Sequence, residues 1–177
     1  MPEVLHRMRR TFDRHAGTAR VLYLVDEEFI GEGVDPIARA MDVAGTVHRA
    51  GFRWETSCRI DQVVRADADR TWHVRRAGMW KDLLELGLRR CLFGVESGVD
   101  SVLERFAKGT VAEQNVLAAR TLSLLGVATR FTYITFDPLM TLDELHQTHL
   151  YQGRTDLILR PRPELTPEQI VAGIGDP

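Results

Sequence analysis

The chain has 177 residues, 44% hydrophobic and 27% charged, a composition that supports one globular domain with a real core and argues against disorder. Its 23 Lys and Arg nearly balance 25 Asp and Glu, and the net charge of -2 offers neither a basic footprint for nucleic acid nor a polybasic patch for a membrane. Apolar runs reach only about six residues, against about 20 needed to span a bilayer, so the expectation is a soluble, cytoplasmic protein.

Taken in chain order, short β-rich apolar runs alternate with longer stretches of helical spacing. The runs are Arg20 to Val25, Phe52 to Ser57, Arg90 to Val95 and Thr129 to Thr135. Between them Pro36 to Ala50, Trp72 to Leu86 and Val111 to Leu125 repeat their apolar residues every three or four positions, as amphipathic helices do. Gly51, Gly87 and Gly126 stand where each helix would end and the next strand begin. Strands separated by crossover helices imply parallel pairing, in either a doubly wound sheet or part of a (β/α) barrel. A body over residues 1–147 is expected, followed by a loosely attached tail over 148–177. In that tail a short strand at Leu157 to Leu159 and a helix capped by Thr166, with Pro167 at its first position, are the expected elements.

In both parallel architectures ligands gather at the carboxyl ends of the strands. Each of the four ends carries an acidic residue: Asp26-Glu27-Glu28, Arg59-Ile60-Asp61, Glu96-Ser97-Gly98 and Phe136-Asp137-Pro138. Carboxylates there can bind metal, act as acid and base, or accept hydrogen bonds from hydroxyl or ammonium groups. A metal is disfavoured because the six histidines fall mostly on helical stretches, with His146 and His149 reading as a solvated face. Cys58 and Cys91 form no C-x-x-C pair and read as small buried hydrophobes.

Gly94-Val95-Glu96-Ser97-Gly98 is the most informative segment. A glycine on each side of Glu96 is expected to let the backbone turn sharply and a ligand approach closely, while Ser97 could cap the next helix or bond a ligand hydroxyl. A short helix from Val99 to Phe106 would end at Lys108 and Gly109, before a capping box formed by Thr110 and Glu113.

Assembled in this order, the segments resemble the radical SAM superfamily, in particular members that carry a cobalamin-binding domain. Asp26-Glu27-Glu28-Phe29-Ile30 is similar to the family's acidic D-D/E-x-F segment, and Trp54 to Asp61 to its third strand ending in R-x-D. Gly94 to Gly98, with Val102-Leu103 and Lys108-Gly109-Thr110, resembles the G-[IV]-E-S-G signature followed by V-L and K-G-T. Phe136-Asp137-Pro138 with Thr141 to Leu145 is similar to the F-D-P form of the fifth strand.

The resemblance implies strands two to five of a partial (β/α)6 barrel, with the first strand missing. It implies S-adenosylmethionine as cofactor: Asp26 or Glu27 meets its amino group, Glu96 its ribose hydroxyls and Lys108 its carboxylate, with Ser97 and Asp137 beside them. An ammonium wants a carboxylate, a vicinal diol a two-oxygen acceptor, and a carboxylate a cation. The family's C-x-x-x-C-x-x-C loop, which holds three irons of a [4Fe-4S] cluster, has no counterpart in this sequence. The expectation is therefore a truncated cofactor-binding core fragment. Its cluster loop would come from elsewhere, including a separate polypeptide, and cobalamin from a missing domain. The alternative is a catalytically inactive radical SAM-like partner or binding subunit.

Overall fold

A computed structural model describes residues 1–15, 20–31, 33 and 35–174. Helix α1 (Pro2–Asp13) precedes β1 (Val21–Tyr23), α2 (Pro36–Arg49), β2 (Arg53–Arg59) and a 3-10 turn (Ile60–Gln62). Then come α3 (Arg70–Glu85), β3 (Leu88–Glu96), α4 (Asp100–Arg105), α5 (Ala112–Leu125), β4 (Thr129–Tyr133), α6 (Leu142–Gln152) and α7 (Pro167–Gly173).

The strands form one sheet in the order β1-β2-β3-β4, and every neighbouring pair is parallel. Sequential strands lie side by side because each crossover carries a helix back across the sheet. The switches from helix to strand at Gly51, Gly87 and Gly126 use φ of 83°, 90° and 77°, which the missing Cβ makes accessible.

Alternation along the strands divides the sheet into two faces. Trp54, Thr56 and Cys58 of β2, with Cys91, Phe93 and Val95 of β3, are buried toward the helices, where Trp80 of α3 lies 5.7 Å from Phe93. The opposite face carries Glu55, Ser57, Arg90, Leu92 and Thr132, all half-buried or exposed. A barrel-like arrangement thus presents a packed outer layer and a polar inner surface.

The tail differs from the loose attachment expected for it. Ile170, Val171 and Ile174 are buried, and the α7 segment seats against α3 and α5. Lys81 Nζ donates to the carbonyls of Leu165 (2.7 Å) and Pro163 (3.1 Å), pinning the approach to α7. The helix begins as expected, with Thr166 and Gln169 forming a reciprocal cap. No strand forms at 157–159: Leu157 is buried, while its carbonyl receives the Ser123 hydroxyl instead of a strand partner. The last three residues of the tail lie outside the described residues.

Helix α5 is also capped differently from expectation. Its N-cap is Val111 without a side-chain bond, and the Ala112 amide is taken by the Asp100 carboxylate at 2.7 Å. The cap comes from a residue 12 positions away, so Thr110 and Glu113 form no capping box.

Candidate cofactor site

The carboxyl ends of β1, β2 and β3 open on a cavity of about 390 Å³, within the range of small-molecule sites. Glu27, Glu28, Arg59, Asp61, Glu96, Lys108 and Thr110 line it, together with Gly94 and Thr132. Glu27 and Glu28 follow β1, Arg59 closes β2, Glu96 closes β3, and Lys108 returns from the short α4.

Glu96 is the hinge of this arrangement. Its φ is 66°, so the left-handed turn expected of the flanking glycines is made by Glu96 itself. The Ser97 amide donates to the Val95 carbonyl at 2.8 Å, closing a three-residue turn around Glu96. Both glycines serve close approaches. A Cβ on Gly94 would stand 2.6 Å from Glu96 Oε1, so its absence lets the carboxylate fold over the strand end; a Cβ on Gly98 would overlap the Tyr151 ring of α6.

Lys108 Nζ donates to Glu96 Oε1 at 3.1 Å. A carboxylate offers about four lone-pair sites and an ammonium three donors, so this pair retains capacity for a ligand on both sides. Arg59 ties the rim together: it forks onto Asp61 at 2.8 and 3.0 Å, lies 3.6 Å from Glu28, and donates to the Lys108 carbonyl at 3.4 Å. Neither Glu28 nor Arg59 was singled out in the sequence for a ligand role, although both stand in the strand-end motifs.

Three expected site residues are used elsewhere. Asp26 does not line the cavity; one carboxylate oxygen accepts the Glu28 amide at 3.0 Å and the other the Arg39 guanidinium at 3.2 Å. Ser97 is fully buried, and its hydroxyl accepts the Val99 amide at 3.0 Å in a turn ahead of α4; the N-cap of that helix is Val99 without a side-chain bond, so Ser97 does not cap it. Asp137 is buried in an ion triad with Arg105 and Glu144. Arg105 donates to Asp137 at 2.5 Å and to both oxygens of Glu144 at 2.7 and 2.9 Å. The Ser101 hydroxyl, the Thr141 amide and Arg105 together hold the Glu144 carboxyl down at about 2.

The cysteines sit on the helix-facing side of adjacent strands. Burial pushes the Cys58 thiol up to about 12, and burial raises Cys91 in the same direction. Buried thiols of this kind are poor metal ligands, and the chain has two of them where a three-thiolate loop would be needed. The residues present therefore do not fit a [4Fe-4S] cluster. Among the described residues, no group of three or more His, Cys, Asp or Glu is placed to hold a metal ion. No described helix is long and apolar enough to cross a membrane.

Comparison with known proteins agrees with this fold. The chain is 36% identical over 154 residues to 4'-phospho-dehydrooxetanocin synthase of Priestia megaterium. It superposes with a TM-score of 0.83, at 30% identity over 98% of its length, on the cobalamin-dependent S-adenosylmethionine radical enzyme OxsB with aqua-cobalamin bound. The chain is a relative of the cobalamin-dependent radical SAM enzymes. Its sheet is a radical SAM partial barrel, which settles the choice between barrel and doubly wound sheet. A second OxsB structure, with aqua-cobalamin and S-adenosylmethionine bound, matches at TM-score 0.78 and 29% identity over 96% of the chain. The matched region is 84% of this chain but 21% of the synthase, and 25% of OxsB. No family model matches.

Proposed function

We propose that this radical SAM relative binds S-adenosylmethionine in the cavity at the ends of β1 to β3 and forms the cofactor-holding part of a radical SAM core. The observation that carries the reading is the Glu96–Lys108 pair, at 3.1 Å on the wall of a 390 Å³ cavity that Glu27 and Glu28 also line. Acceptors and a cation on one concave surface suit a ligand with a diol, an ammonium and a carboxylate.

In this reading Glu96 accepts from the ribose hydroxyls. Lys108 swings part of its donor set to the ligand carboxylate, and Glu27 or Glu28 meets the ammonium in place of Asp26, which is held by Arg39. Arg59 fixes the rim through Asp61 and Glu28. When bound, S-adenosylmethionine supplies the sulfonium chemistry of the family. The residues of this chain bind and orient it, and their charges direct each end of the ligand to one side of the mouth. The cluster ligands would lie outside this chain, on a longer protein or on a separate polypeptide; no residue here is assigned to cobalamin. The buried cysteines leave a second reading open, an inactive binding subunit with the same cofactor cavity.

Equilibrium dialysis with labelled S-adenosylmethionine tests the binding that both readings share. The chain is expected to bind the nucleoside weakly but saturably. Glu96→Ala is expected to weaken binding by about tenfold or more, since loss of a buried acceptor leaves ligand hydroxyls unmatched at about 1 to 3 kcal/mol. Equal affinity in that variant excludes the site.

A further inference from the structure

Glu96 adopts a backbone conformation that a residue with a Cβ seldom takes, and something must hold it there. Part of the restraint is local: the Ser97 amide reaches the Val95 carbonyl at 2.8 Å, and the Ile134 amide beyond β4 reaches the Glu96 carbonyl at 2.7 Å. The rest comes from Asn115, in the first turns of α5. Its Nδ2 donates to the Val95 carbonyl at 3.2 Å and to the Ser97 carbonyl at 3.0 Å, the carbonyls on either side of Glu96.

That amide sits in a costly place. Asn115 is fully buried, its helix propensity is poor, and its Oδ1 has no hydrogen-bond partner. An apolar side chain would avoid the orphaned acceptor, so the benefit of asparagine lies in its two N–H groups. Two carbonyl acceptors also fix which end of the amide faces the turn. One planar group bridges the Val95–Glu96 and Ser97–Gly98 peptides and so ties together the two ends of the turn, while the Glu96–Ser97 peptide between them is held by Ile134 and Val95. The bridge thereby sets the direction in which the Glu96 side chain leaves the backbone.

We propose that Asn115 is a positioning residue for the cofactor site: it clamps the Glu96 turn so that the carboxylate lies over Gly94 and against Lys108. Asn115 does not line the cavity, so it acts only through Glu96. The consequence for cofactor affinity rests on the S-adenosylmethionine reading; the clamp itself does not.

The test uses the whole chain with Asn115→Leu, which keeps the number and branching of the side-chain heavy atoms and removes both donors. Without ligand, hydrogen exchange at the Ser97 and Ile134 amides is expected to accelerate about tenfold relative to the Phe93 amide of the same strand. With ligand, the dissociation constant for S-adenosylmethionine is expected to rise about tenfold. In a Glu96→Ala background the same substitution should change affinity by less than about twofold. A residue needed only for packing would lose affinity equally in both backgrounds, and that result overturns the proposal, as does unchanged exchange at Ser97 and Ile134. Should Asn115→Leu fail to fold, Asn115→Ser, which keeps one donor, is measured in the same way against the same outcomes. If the unsubstituted chain binds no S-adenosylmethionine, the cofactor reading fails while the exchange result alone decides the clamp.

Discussion

Two acidic clusters lie beyond the strand ends, and they use the same chemistry to opposite effect. At the end of β3, Glu96 meets one cation at 3.1 Å on a cavity wall, and both partners keep unused bonding capacity. Beyond β4, Asp137 and Glu144 close on Arg105 with contacts of 2.5 to 2.9 Å, and Ser101 and Thr141 occupy further positions on Glu144. The first cluster is open to a ligand; the second locks α4 to the start of α6. A strand-end carboxylate is a candidate for binding only when its neighbours leave it unsaturated.

The strongest way to separate the clusters is through the two glycines that flank Glu96. Gly98→Ala drives a Cβ into the Tyr151 ring, on the locked side, and is expected to destabilise the fold by about 3 kcal/mol in a denaturant titration. Gly94→Ala meets only the flexible end of Glu96, so it should leave most stability intact while displacing the carboxylate and weakening nucleoside binding. Similar stability losses from both substitutions would erase the distinction.

A smaller effect is expected from acid. The Glu144 carboxyl is held at about 2 in the fold and returns to its ordinary 4.5 on unfolding. Its depressed folded value means that its stabilisation is fully present above pH 4.5 and is lost as pH falls toward 2. Urea midpoints measured across that window should fall with acid in the unsubstituted chain and fall less steeply in Glu144→Gln. Parallel curves would remove the triad as a source of acid sensitivity.

The smallest stability change is expected at Lys108, whose side chain is 37% exposed. Lys108→Met should shift stability by no more than about 0.5 kcal/mol, as for other half-exposed ion pairs, yet weaken nucleoside binding several-fold. A large stability loss would assign Lys108 to the locked group.

Much of this was legible in the sequence because it is written locally. Short β-rich apolar runs, helical spacing and the glycines at 51, 87 and 126 marked the parallel βα order. Lys108 stands 12 residues after Glu96, close enough for a short helix to return it. What separates Asp137 from Glu96 is not local: the partner that consumes Asp137 is Arg105, 32 residues earlier. The same holds for Asn115, which reads as one polar position in a helix and reveals its role only when α5 packs behind the β3 end. Tail burial was not legible: three prolines among charged residues pointed to a loose segment, and the docking of Ile170, Val171 and Ile174 on α3 and α5 depends on elements far away in the chain.

The central claim is that the β3 end, and not the β4 end, receives the cofactor. Amide NMR of the ¹⁵N-labelled chain during titration with S-adenosylmethionine tests this most directly. The account predicts saturable shifts at Gly94 to Ser97, Lys108 to Thr110 and Glu27 to Glu28, with Leu139 and Glu144 unmoved. Shifts centred on Leu139 and Glu144, or none anywhere at saturating nucleoside, would contradict it.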